Sequence, residues 1–116
     1  MTIARIGVGP RMSQAVVHAG KVYTAGVVAD KTAGKSVGEQ TGEILAQIDA
    51  LLAEAGSDKT KILKANIWLT DMSRFGEMNA AWDAWVPQGH TPARATVESR
   101  LAGPQYTVEI MVEAAV

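Results

Sequence analysis

A chain of 116 residues, 47% hydrophobic and 20% charged, with a formal net charge of −1, has material for a core and no electrostatic excess of either sign. That balance argues against a nucleic-acid partner on electrostatic grounds, and the length fits a single domain, residues 1–116, with one site or one interface. The chain has no cysteine, which excludes disulfides, thiolate metal ligands and cysteine nucleophiles together.

No apolar run approaches the roughly 18 residues that span a bilayer, and the first residues lack the basic-then-apolar pattern of a signal peptide. A soluble, cytoplasmic protein without membrane contact is therefore expected.

The elements follow in chain order. Ile3 to Val8, Ser13 to Val17 and Lys21 to Val28 are short β-branched runs separated by Gly9-Pro10 and His18-Ala19-Gly20, a pattern that predicts a three-strand meander. Ser36 and Glu39 form a capping box, Ile44, Leu45, Ile48, Leu51 and Leu52 recur at helical spacing, and Gly56 supplies a stop, so a helix is predicted over Val37 to Ala55. Ile62 to Leu69 alternates as a strand. Ser73 is the expected N-cap of a second helix whose apolar stripe is Phe75, Met78, Trp82, Trp85 and Val86. A strand carrying Arg94 and a last strand over Tyr106 to Ala114 complete the order βββαβαββ. Helices between strands argue for a partly parallel sheet with both helices on one face, an α+β arrangement.

The stretch His90 to Ser99 carries the clearest chemistry. Pro92 cannot donate to a ladder and suits a strand entrance, which puts Arg94 on the first regular part of the strand, where packing can hold it. A held guanidinium offers a planar fork of donors matched to a carboxylate or phosphate, so Arg94 is the candidate anchor for a small acidic ligand; the competing reading is a structural ion pair. Arg94, Thr96 and Glu98 share one strand face, Ala95 and Val97 the other. The apolar sets Ala65/Ile67/Leu69, Ala95/Val97 and Val108/Ile110/Val112 are expected under the helices. Parity then sends Asn66, Trp68, Arg94, Thr96, Glu98, Thr107, Glu109, Met111 and Glu113 to the uncovered side, where the Trp, Met and Arg content suggests contact with other copies of the chain.

The order of elements and several motifs, Ser13-Gln14-Ala15, Tyr23-Thr24-Ala25-Gly26, Glu54-Ala55-Gly56, Pro92-Ala93-Arg94 and Val108-Glu109-Ile110, resemble the Rid/YjgF family of reactive-intermediate imine deaminases. The resemblance spans essentially the whole chain. It implies a chorismate-mutase-like fold, a homotrimer whose sheets form an inner barrel, and ligand clefts between subunits. It also implies hydrolysis of small 2-imino or enamino acids to 2-oxo acids and ammonia without metal or cofactor, with Arg94 holding the substrate carboxylate. Backbone groups around Arg94 to Thr96 and around Gly26 would line the cleft, and Asn79 matches an asparagine of the family's second helix. The chain departs from the family pattern in having Arg11-Met12 after Gly9-Pro10 where an aromatic is usual, Ala25 for a serine, Thr96 for a cysteine, and Met111 where the family carries the glutamate thought to handle water. Glu109 matches the earlier glutamate of that strand; either Glu109 or Glu113 substitutes, or a backbone carbonyl orients the water, or imine deamination is not the role of this chain.

The remaining candidates have plainer alternatives. His90, four residues before Arg94, is either a donor or general acid at the site or a peripheral loop residue. Arg11 is either a second anion contact at the cleft rim or a surface charge. His18 reads as a turn residue, Trp82 and Trp85 as core or interface, and two such histidines do not make a metal site. Three functions compete: a hydrolase acting on C=N bonds, a non-catalytic trimeric carrier of 2-oxo acids or similar carboxylates, and the ribonuclease or chaperone-like roles ascribed to some family members.

Overall fold

In the computed structural model, which describes residues 2–116, seven strands form one sheet and two helices pack side by side on it. The strands are β1 (Ala4–Ile6), β2 (Ala15–His18), β3 (Lys21–Thr24), β4 (Val27–Val28), β5 (Ile62–Leu69), β6 (Ala93–Glu98) and β7 (Val108–Ala115), and the helices are α1 (Val37–Glu54) and α2 (Phe75–Trp85). The order across the sheet is β1-β2-β3-β7-β5-β6, with β4 also pairing with β7. β7 is thus central, and β6 lies at an edge. Among the described residues β5 and β6 are the one parallel pair; the other pairs are antiparallel.

Local chemistry accounts for the helices. The Ser36 hydroxyl accepts the Glu39 N–H at 3.2 Å, satisfying a donor that a helix start leaves free, and Gly56 takes φ +82 just past the C-cap Ala55. Ile44, Leu45, Ile48 and Leu52 turn one stripe of α1 into the core against Val22, Ala65, Ile67, Leu69, Val108, Ile110 and Val112 of the sheet. Buried Gln40 ties two loops to this layer: its amide donates to Lys35 O and Gln105 O, each at 3.0 Å, and its carbonyl accepts from Thr107 N at 3.1 Å.

Three expectations change. The run Lys21 to Val28 is two strands, because the chain breaks at Ala25-Gly26 and β4 continues along β7 after β3 has left it. Ser73 does not cap α2: Asp71 caps a short 3-10 turn, Met72–Arg74, accepting from Ser73 N at 3.0 Å, and α2 grows out of that turn without a side-chain cap.

The third change concerns the face of β6. In the parallel register Arg94 lies beside Ala65, Thr96 beside Ile67 and Glu98 beside Leu69, so these three point to the helix-covered side. Ala95 and Val97 lie beside Asn66 and Trp68 on the uncovered side, and Val97 is 50% exposed. The assignment by apolar content fails here because β6 is an edge strand lying over the border of the core, where α2 supplies rings in place of aliphatic packing.

Candidate functional site

Arg94 enters the layer between β6 and α2. Its guanidinium carbon lies 5.2 Å from the Trp82 ring centroid and 5.8 Å from that of Phe75, within cation–π range of both. Trp82 is buried and Phe75 is exposed at the rim. The two rings are seven residues apart, two helical turns, so a group within reach of both lies over the turn between them, which carries Asn79. Among the described residues no carboxylate is within ion-pair distance of Arg94; the only such pair is Lys21 with Glu113, at 3.2 Å. The Oδ1 of Asn79 and the Oγ1 of Thr96 are buried and have no hydrogen-bond partner among the described residues. A guanidinium without a counterion among the described residues thus shares its strand face with an unpartnered Thr96 hydroxyl, opposite a helix that carries an unpartnered Asn79 amide oxygen between the two rings, although such groups are normally satisfied.

The approach of α2 to β6 is fixed from the strand. Glu98, on the same face as Arg94 and Thr96, accepts the Met72 N–H at 2.9 Å and so pins the turn from which Phe75 emerges. Further along, Trp85 donates to the Asp49 carboxylate of α1 at 2.9 Å, and its ring sits 5.4 Å from that of Trp82.

A second group of residues forms on the other side of the sheet. Glu109 pairs with Val28 on one side and Trp68 on the other, which places its side chain on the uncovered face together with Met111 and Glu113. Its carboxylate packs against the Cα of Gly26, so closely that a Cβ at that position would collide with it. Gly26 and Glu109 are thus brought together, and so are Arg94, Thr96 and the turn of Asn79. The expectation that Arg94 and the β7 glutamates share a face does not hold within one chain. Nor do the last two candidates join either group by contact. Arg11 is exposed on the β1–β2 loop and lines an open concavity of about 570 Å³ with Gly7, Gly9, Pro10, Met12 and Gln14. His90 is exposed in the loop before β6, its Nδ1 3.4 Å from Gln88 O.

Sequence reading missed the link between Arg94 and the rings of Phe75 and Trp82. The signal available was the placement of both aromatics on one stripe of a helix preceding the arginine strand by a short loop, a geometry in which the helix packs back over that strand. Among the described residues no cluster of three or more His, Asp or Glu converges as metal ligands would, and no helix is long and apolar enough to cross a membrane.

A mixed sheet with one parallel pair, two helices on a single face and an arginine at the start of the edge strand define the chorismate-mutase-like α+β fold of the YjgF proteins. The sequence profile described as Endoribonuclease L-PSP matches residues 2–116, and the chain belongs to this family, also called Rid, YjgF or RutC. The RutC family protein YoaB of Escherichia coli K12 is 48% identical over 116 residues, covering 100% of both chains. A RutC family protein of Haemophilus influenzae is 46% identical over 112 residues, covering 97% of each. Among solved structures, NMB1025 of Neisseria meningitidis, a YjgF family member, superposes with a TM-score of 0.96 at 50% identity, covering 99% of this chain and 95% of that one.

Proposed function

We propose that the protein is a cofactor-free hydrolytic deaminase of small 2-imino and enamino acids, working as a homotrimer with its clefts between subunits. The observation that carries this reading is Arg94: a guanidinium held over α2, without a carboxylate partner among the described residues, on the strand face of Thr96 and opposite the helix of Asn79, whose buried polar atoms also lack partners there. A substrate carboxylate would satisfy the guanidinium bidentately. Since Glu109 and Gly26 lie across the sheet from Arg94, the cleft is completed by a second copy, which sets its Glu109 and Gly26 against the first copy's Arg94, Thr96 and Asn79.

The reaction needs little beyond placement. A protonated imine is already electrophilic at C2, and fixing its carboxylate orients that carbon toward a bound water. The water oxygen bonds to C2 as the C=N electron pair moves to nitrogen, and Glu109 takes the released water proton. Glu109 returns the proton to nitrogen, the C–N bond breaks, and the hydroxyl proton leaves with ammonia as ammonium, giving the 2-oxo acid. An enamine enters the same path after protonation at C3.

Met111 favours a second reading. It stands where the family carries a water-handling glutamate, and a methionine cannot accept a proton, so a trimeric carrier of 2-oxo acids is the alternative. Generating 2-iminopropanoate in situ with an amino-acid oxidase and following ammonia release separates the two. The deaminase speeds release, and Arg94→Ala lowers kcat/KM by about a hundredfold or more. Wild-type protein that binds pyruvate or 2-oxobutanoate without speeding release is a carrier. RNA cleavage that survives both Arg94→Ala and repurification would instead point to the ribonuclease role.

A further inference from the structure

We propose that Phe75 and Trp82 are positioning residues for Arg94, holding its guanidinium through their ring faces so that its N–H donors stay free for a ligand carboxylate. The inference rests on Arg94 being the carboxylate anchor proposed above. It goes further in saying what keeps that anchor in place and why the holder is aromatic.

An arginine at the start of an edge strand has four rotatable bonds and would ordinarily sweep a wide volume; immobilising it only when ligand arrives weakens binding. Proteins commonly still such a group with a carboxylate, but a carboxylate occupies the N–H fork that a ligand needs. A ring attracts the cation through its electron-rich face and accepts none of its in-plane hydrogen bonds. Here the guanidinium carbon is within 6 Å of two ring centroids, 5.2 Å from Trp82 and 5.8 Å from Phe75, and among the described residues no carboxylate is within ion-pair distance. The rings differ in role. Trp82 is 5% exposed and belongs to the core, so it gives a fixed floor. Phe75 is 37% exposed, a poor use of a large apolar side chain unless something lies on it. Its place is set by the turn that Glu98 pins through Met72 N, so strand β6 carries both the anchor and the tether that brings the outer ring to it.

The test is binding without turnover. Calorimetric titration with 2-oxobutanoate is compared in wild type, Phe75→Tyr, Phe75→Leu, Arg94→Ala and the double variant Phe75→Leu/Arg94→Ala, with circular dichroism and thermal unfolding to verify the fold. Phe75→Leu keeps an apolar side chain at the rim and removes only the ring face; it is expected to weaken binding about five- to tenfold, while Phe75→Tyr stays within about twofold of wild type. In the Arg94→Ala background Phe75→Leu makes no further difference, as required if the ring acts through the guanidinium. Where turnover is measurable, KM rises with little change in kcat. For the core ring, Trp82→Phe keeps a face and folds, and it is expected to weaken binding less than Phe75→Leu does.

The inference is overturned if Phe75→Leu binds 2-oxobutanoate as wild type does while Arg94→Ala does not bind, or if Phe75→Leu weakens binding equally in the Arg94→Ala background. Failure of the deaminase assay with the Arg94- and Phe75-dependent binding intact removes the enzymatic reading and leaves this one standing. Wild-type protein that binds no 2-oxo acid removes this inference and the carrier reading, while the deaminase reading is decided by ammonia release.

Discussion

Arg94 and Glu109 lie on opposite faces of the same sheet. Arg94 stands beside Ala65 in β5, on the helix-covered side; Glu109 stands beside Trp68, three residues further along the same strand and therefore on the other side. If one reaction uses both, two chains must meet to make each site. Two variants inactive alone, Arg94→Ala and Glu109→Gln, are then expected to complement each other when co-expressed. In randomly mixed trimers about a quarter of the interfaces pair an intact Arg94 with an intact Glu109, so about a quarter of wild-type activity returns. Ammonia release by the co-purified mixture, against the two variants mixed without exchange, measures it. No recovery would show that Arg94 and Glu109 do not act together across an interface.

The contact between Gly26 and Glu109 gives a more local expectation. A Cβ on Gly26 would collide with the Glu109 carboxylate, the mobile end of a flexible side chain, so Gly26→Ala should move the carboxylate without breaking the sheet. We expect kcat to fall about tenfold or more, the scale of a misplaced general base, while the melting temperature shifts by only about 2 °C. A large drop in melting temperature would show that the glycine serves the backbone instead.

Val97 tests the assembly. It is 50% exposed on the uncovered face, beside Trp68. If that face meets other copies, Val97→Asp buries an unpaired charge and drives the copies apart. Light scattering should report a smaller species and activity should fall about tenfold or more, although Arg94 and Glu109 are untouched and the far-ultraviolet dichroism is retained. An unchanged mass would remove this face from the interface.

Glu43 makes a contact whose strength depends on its ionisation. Its carboxylate accepts the Thr32 hydroxyl at 2.6 Å and the backbone N–H groups of Asp30, Lys31 and Thr32 at 2.8, 3.2 and 2.8 Å, clasping the loop before α1. The Thr32 hydroxyl, aided by those N–H groups, lowers its pKa from 4.5 to about 2. Because the folded value lies below the unfolded one, the stabilisation is complete above about pH 4.5 and is lost as the pH falls through 2. Glu43→Gln should cost about 1 kcal/mol at pH 7, or roughly 4 °C in melting temperature. The gap between variant and wild type should close in denaturant melts taken near pH 2.

Much of this was legible in the residues. Ser36 and Gly56 mark both ends of α1, alternation marks β7 and β5 from Ala65 onward, and Pro92 marks the start of β6, because capping, pleating and the missing proline N–H are local effects. The face of β6 was not legible. Period-2 geometry says that Arg94 and Thr96 travel together, but only the register against β5 says where they go, and a slip of one residue reverses the answer. Apolar content pointed the wrong way because the partner of Arg94 is a pair of rings on α2, reached through the tertiary fold. The Asp71 cap was missed for a related reason: the chain inserts a 3-10 turn before α2, and nothing in the spacing distinguishes that turn from the first turn of the helix.

Strand β6 has a neighbour on one side only. Alternate backbone N–H and C=O groups along its outer rim lack a ladder partner among the described residues, directly beside the residue on which ligand binding is proposed to depend. A variant forced to stay monomeric would carry that rim bare, in a stretch where Ala95 and Val97 offer little to discourage strand addition. Its first mode of failure in solution would then be aggregation through a growing β-ladder, well before the core loosens, and loss of solubility would be the earlier sign of a broken assembly.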